Sequence, residues 1–155
     1  MHNGQFGGYD GYRRHAEALI ADEYYPHRRG ATDSEVLFLM ALAEGLDQDP
    51  AGAMARATAN FEILARQRGI APYVRLTAAF SDGHRLYALR YASDEQAPTL
   101  YHRWSDRRGG RAVVSEPLEQ DETDWLEVPP QSFCIFEGDR VSQQPFLPDA
   151  ARAAA

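Results

Sequence analysis

A side-chain amide and an unshielded backbone N–H stand side by side at Asn3-Gly4, within the stretch Met1-His2-Asn3-Gly4-Gln5. Two such donors aimed at one point stabilise an oxyanion, which is the chemistry of acyl transfer. The same pair also makes a tight turn, because both residues tolerate positive φ. A second candidate is Asp33, in Ala31-Thr32-Asp33-Ser34-Glu35. Its carboxylate can hold a substrate ammonium, or it can serve a helix start, where Asp is favoured. The other reactive residue types are less organised. His2, His15, His27, His84 and His102 show no metal-ligand spacing, so no metal is expected. The single cysteine, Cys134, excludes an internal disulfide and a cysteine-based zinc site, and its apolar neighbours predict a buried structural thiol. There is no Gly-x-Ser-x-Gly elbow. Gly4, Gly7, Gly8 and Gly11 match neither the dinucleotide fingerprint nor the P-loop, and the chain has no lysine to serve one. They read as a flexible loop, and no cofactor is expected. Glu116, after a short apolar strand, either faces a cleft or ends that strand in a turn anchored by Pro117.

The elements that must carry these residues follow from periodicity. Tyr12, Ala16, Leu19 and Ile20 share one face of a helix running from Tyr9 or Asp10 to Tyr24 and stopped by Pro26. Thr32 and Glu35 have capping-box spacing at the start of the next helix. Its Val36, Leu37, Leu39, Met40, Leu42 and Ala43 predict deep burial. Asp49-Pro50 opens a third helix, with a stripe of Met54, Ala57, Phe61 and Leu64 and a stop at Gly69. From Val74 the period becomes two, and Asp82-Gly83 turns the first strand into a hairpin with Leu86–Ala92. Further strands are predicted at 99–104, 111–115, 125–128 and 132–136, with turns at 107–110, at Pro129-Pro130 and at Glu137-Gly138-Asp139. Helices first and antiparallel strands after make an α+β domain.

Composition narrows the function. A length of 155 residues suits one domain with a sizeable core. The net charge of −7 argues against a nucleic-acid surface. No apolar run has the length of a membrane span, and no leader pattern opens the chain. A reducing cytoplasm is the expected setting.

His2-Asn3-Gly4-Gln5, then a helix, then Thr32-Asp33-Ser34-Glu35, the hairpin over 76–92, and Val113-Val114-Ser115-Glu116-Pro117-Leu118 together resemble the class-II glutamine amidotransferases. The resemblance is to the small stand-alone members in particular, including those acting on γ-glutamyl amides in ergothioneine-type pathways. It covers residues 1–146, a partial type-2 amidotransferase domain, and leaves 147–155 as a frayed tail. The resemblance implies the C-terminal part of an N-terminal-nucleophile hydrolase, an α-β-β-α sandwich acting on glutamine or a γ-glutamyl amide. Asn3 and Gly4 match the family's oxyanion hole, and Asp33 matches the residue binding the α-amino group. The family's nucleophilic cysteine, activated by its own terminal amine, and its carboxylate-clamping arginine have no counterpart at the start of this chain. Cys134 does not stand in the nucleophile's position. The expectation is therefore a fragment, inactive alone, that lacks an N-terminal segment through an internal start codon, a truncated gene model or a split gene. The alternative is a non-catalytic ligand-binding or partner subunit of α+β fold, or an unrelated α+β binding domain.

Overall fold

After an opening strand that the change of period does not predict, the helices and then the remaining strands follow one another along the chain. A computed structural model describes residues 1–71, 74–117 and 124–148. Leu118 and the tail from 149 lie outside the described residues. The chain forms two compact units, one from Met1–Gly4 with Arg75–Phe146 and one built on Gln5–Val74.

The first unit is a sheet unit. Its five-stranded sheet has the order β1-β2-β3-β7-β8, made from β1 (His2–Phe6), β2 (Val74–Ser81), β3 (Leu86–Ala92), β7 (Ser132–Glu137) and β8 (Arg140–Pro145). A three-stranded sheet of order β5-β4-β6 joins β4 (Tyr101–Ser105), β5 (Gly110–Val114) and β6 (Leu126–Glu127). The β2–β3 hairpin pairs Ser81 with Leu86. Asp82 holds its turn by accepting from the backbone N–H of His84 and Arg85 and from the Tyr87 hydroxyl. These donors hold its carboxyl well below the usual carboxylate range. On one face of the large sheet, Ala88, Cys134 and Phe136 pack with Leu100, Val128, Leu86 and Val113. The two sheets are tied by Arg90 of β3, which donates to Glu127 Oε1 (2.5 Å) and to the Val128 carbonyl (2.8 Å). The opposite face carries an aromatic cluster of Phe80, Tyr87 and Phe133, with Phe80 stacked on Tyr87 at 5.1 Å.

The second unit is helical, with α1 (Tyr9–Glu17), α2 (Asp33–Ala43) and α3 (Pro50–Gln67). Phe61 of α3 is its centre. Phe6 stacks on it at 4.1 Å and Tyr12 meets it edge-on at 6.3 Å, and all three are fully buried. The Asp49 side chain caps α3 by accepting from Gly52 N–H at 3.0 Å, with Pro50 at the first helical position.

Four expectations are corrected. Asn3-Gly4 forms no turn and the glycine-rich lead is no loop throughout, since Gly4 lies in β1 and Gly11 in α1. Met1 and Ala79 exchange both backbone hydrogen bonds, and that pairing draws the lead into the sheet. The first helix ends at Glu17, well before Tyr24. Ala18 N–H still bonds four residues back, but the Leu19 and Ile20 N–H groups bond three residues back, a tighter turn that leaves Ile20 buried and Leu19 half exposed. Thr32 caps α2 by accepting from Glu35 N–H at 3.3 Å, but Glu35 does not return the bond. Its carboxylate instead accepts from Arg29 and Gly30 N–H, at 2.6 and 2.7 Å. Strand β8 was not predicted at all. All six of its residues are exposed, so no apolar alternation marks it, and its backbone pairing with β7 alone defines it.

Candidate functional site

Asn3 reaches its place through the sheet. Its carbonyl accepts from the buried Thr77 hydroxyl at 2.8 Å, and its Nδ2 donates to Ser115 Oγ at 3.2 Å. The hydroxyl therefore orients an exposed amide that retains a second N–H. Gly4 beside it is exposed and has φ +154. A Cβ there would lie 1.9 Å from the Arg75 carbonyl oxygen. Only glycine lets the two strands approach so closely. Ser115, which the sequence marked only as a strand end, is thus a positioning residue for Asn3. Glu116 next to it accepts from the Thr99 hydroxyl.

Asp33 is the first residue of α2, in the helical unit. An acid in the first turn is favoured by the helix dipole. Its Oδ1 accepts from Ser34 N–H at 2.7 Å and from the Ser34 hydroxyl at 3.2 Å, while Oδ2 accepts from Phe6 N–H at 3.3 Å. A carboxylate offers about four acceptor sites, so capacity remains for a ligand. Asp33 lines a cleft of about 550 Å³ with Thr32, Gln5, Tyr9, Asp10 and Ile70 among its walls. Among the described residues two aspartates and no arginine line it, a lining that favours a cation. Glu35 fixes the loop before Asp33. The Arg29 N–H first, and the Gly30 N–H with it, hold its carboxyl below the ordinary range. Tyr9 and Tyr12 are both pushed up by burial, Tyr9 to about 12, and the charge of Asp33 adds to the effect on each.

Among solved structures, one described as that of a glutamine aminotransferase class-II domain protein from Silicibacter pomeroyi matches 96% of this chain at 54% identity. The match covers 67% of that chain, with a TM-score of 0.90. The chain belongs to the class-II glutamine amidotransferase family.

Glutamine phosphoribosylpyrophosphate amidotransferase from B. subtilis, solved with ADP and GMP, shares the fold at 14% identity and a TM-score of 0.60. That match spans 96% of this chain and 29% of the other. No protein-family model matches the chain, and no curated protein does. Within this amidotransferase chain Cys134 sits in β7 at 1% exposure, opposite Ala88 on one side and Gln143 on the other. Burial pushes its thiol up, and a hydrogen bond with Ser132 only partly opposes this. It has the character of a packed core residue, as its sequence neighbours predict. Among the described residues no helix is long and apolar enough to cross a membrane.

Proposed function

We propose that the amidotransferase domain to which this chain contributes hydrolyses the side-chain amide of glutamine or of a γ-glutamyl amide. Asn3 and Gly4 supply the donors for the tetrahedral oxyanion, and Asp33 holds the substrate α-ammonium. The observation that carries this reading is the Asp33 carboxylate at the wall of a cleft that no arginine lines among the described residues. The Ser115 hydroxyl on Asn3 Nδ2 supports the other assignment, since an oxyanion donor acts only when its geometry is held before the reaction. Residues 1–146 are read as part of the α-β-β-α sandwich of N-terminal-nucleophile hydrolases.

The attacking thiolate comes from outside this chain, from a further segment or subunit, because its sole thiol is buried in β7 with a raised pKa. The chain alone should release no glutamate from glutamine or a γ-glutamyl amide. A diazoketone analogue of glutamine should leave its mass unchanged, and stoichiometric labelling of Cys134 would overturn the assignment. The buried thiol also favours a second reading, a partner subunit that binds without cleaving. Glutamine binding that persists while a cysteine-bearing family segment never restores glutamate release would select it.

A further inference from the structure

The small sheet meets the large one through a histidine and an arginine as well as through Arg90. His102 of β4 is 6% exposed, with the Phe136 ring of β7 at 4.8 Å. Beside it in register stand Val113 of β5 and Leu126 of β6. Arg111 of β5 brings its Nη1 to 2.8 Å from His102 Nδ1. Its Nη2 donates to the Asp139 carbonyl at 3.1 Å, in the turn between β7 and β8. The guanidinium also lies over the Phe136 ring at 4.8 Å and the Trp104 ring at 5.8 Å. One side chain of the small sheet thereby holds the β7–β8 hairpin of the large one, and His102 holds that side chain.

This geometry fixes the protonation state. An arginine keeps its charge and can only donate, so His102 Nδ1 accepts and the imidazole is neutral, with its proton on Nε2. A proton on Nδ1 would set two positively charged donors face to face at hydrogen-bonding distance. Among the described residues, Arg111 is the one charged group that acts on His102. The nearby acids are engaged elsewhere. Glu127 of β6 accepts from Arg90, Glu137 of β7 from Arg85, and Asp106 from the Trp104 indole. Asp139 acts on Arg111 rather than on the imidazole, and Arg103, next to His102 in β4, lies over Trp125. Burial first and the Arg111 charge second hold His102 below its ordinary value of 6.5. An unfolded histidine therefore takes up its proton before the folded one does as pH falls. The stabilisation is complete above 6.5 and is lost as pH falls through the lower folded value.

We propose that His102 and Arg111 form a pH-sensitive latch between the two sheets, closed while the imidazole is neutral and opened when Nδ1 takes a proton. Protonation ends the bond from Arg111, and repulsion drives the guanidinium away from the ring. Arg111 then leaves Phe136 and the Asp139 carbonyl as well, since one planar group makes all of these contacts. β5 runs on into Ser115, whose hydroxyl accepts from Asn3 Nδ2. The latch therefore sits on the strand that orients the Asn3 amide. It depends on neither the oxyanion nor the ammonium assignment.

An NMR titration of the 155-residue chain from neutral to mildly acidic pH tests the latch. Imidazole nitrogen shifts should show a bare Nδ1 and a protonated Nε2 on His102 at neutral pH. On acidification His102 should take its proton only below 6.5. In the same step the amides of β5 and of residues 137–139 should shift. Their protection against hydrogen exchange should fall about tenfold, the loss of one hydrogen bond to a charged group. His102→Gln presents a side-chain carbonyl to Arg111 and does not titrate. It should keep the neutral-pH spectrum of β5 and abolish the step. Arg111→Gln removes the cation and leaves the ring, so it should move the histidine titration to higher pH. A proton on Nδ1 at neutral pH, titration at or above 6.5, or protonation that leaves β5 unmoved would each overturn the latch. So would a step that persists in His102→Gln, or a titration that Arg111→Gln does not shift. If His102→Gln fails to fold, the parent and Arg111→Gln titrations decide the matter.

Discussion

In the sheet unit, Asn3 depends on a hydroxyl 112 positions away, at Ser115, and on Thr77, 74 positions away. In the helical unit, Asp33 depends mainly on near neighbours: Ser34 beside it, the Thr32 cap, and Glu35 holding the loop at Arg29 and Gly30. One long-range bond, from Phe6 N–H, completes its surroundings. The first arrangement fails if strand pairing is disturbed anywhere between its parts. The second persists as long as one helix start persists. On the proposed assignment Asn3 is an oxyanion donor, which must be held rigidly to act on a transition state, and a paired strand supplies that rigidity. Asp33, as the proposed ammonium anchor, would work through charge, which tolerates small displacements.

Kinetics should show the largest contrast. In an enzyme completed by a cysteine-bearing segment, Asn3→Ala should lower kcat about 10²–10³-fold, the loss of one oxyanion donor. Asp33→Asn should act mainly on KM, since the ammonium contact is made in ground and transition states alike. A rate for Asn3→Ala within about twofold of the parent would remove the oxyanion assignment. Next in size is a stability effect confined to the strand. Gly4→Ala places a methyl 1.9 Å from the Arg75 carbonyl oxygen at a φ of +154. It should cost about 3 kcal/mol through backbone strain and displacement of β1. Thermal unfolding would then show a fall of roughly 6–12 °C for a domain of this size. A fall near zero would mean that β1 shifts freely and that the Asn3 amide is not held by the sheet. The smallest effect belongs to the local arrangement. Thr32→Ala removes the α2 cap and should cost about 1 kcal/mol. Hydrogen exchange should quicken in the first turn of α2 while β1 and β2 keep their protection. Equal loosening of the strands would erase the distinction between local and long-range support.

The legible parts of the fold share one property. The Asp49-Pro50 start of α3, its buried stripe of Met54, Ala57, Phe61 and Leu64, and the Asp82-Gly83 hairpin are each specified within a few residues. Local hydrogen bonds and a single apolar face decide them, so a window of sequence contains the whole cause. Strand β1 is the opposite case. His2, Asn3, Gly4 and Gln5 have little intrinsic preference for a strand, and their pairing with residues near Ala79 overrides it. Glu35 shows the same limit on a smaller scale, because the loop at Arg29 and Gly30 offered its carboxylate better-placed donors than the cap.

The sequence by itself determined the α+β class, the three helix starts, the central hairpin and the family. These rest on period, capping chemistry and residue type, all written in consecutive positions. Only the tertiary structure decided that Gly4 must be glycine because Arg75 lies against it, that Ser115 orients Asn3, and that Tyr9 comes to line the same cleft as Asp33. Each of these depends on which distant groups come within reach of one another. Chain packing sets that distance, and no local pattern encodes it.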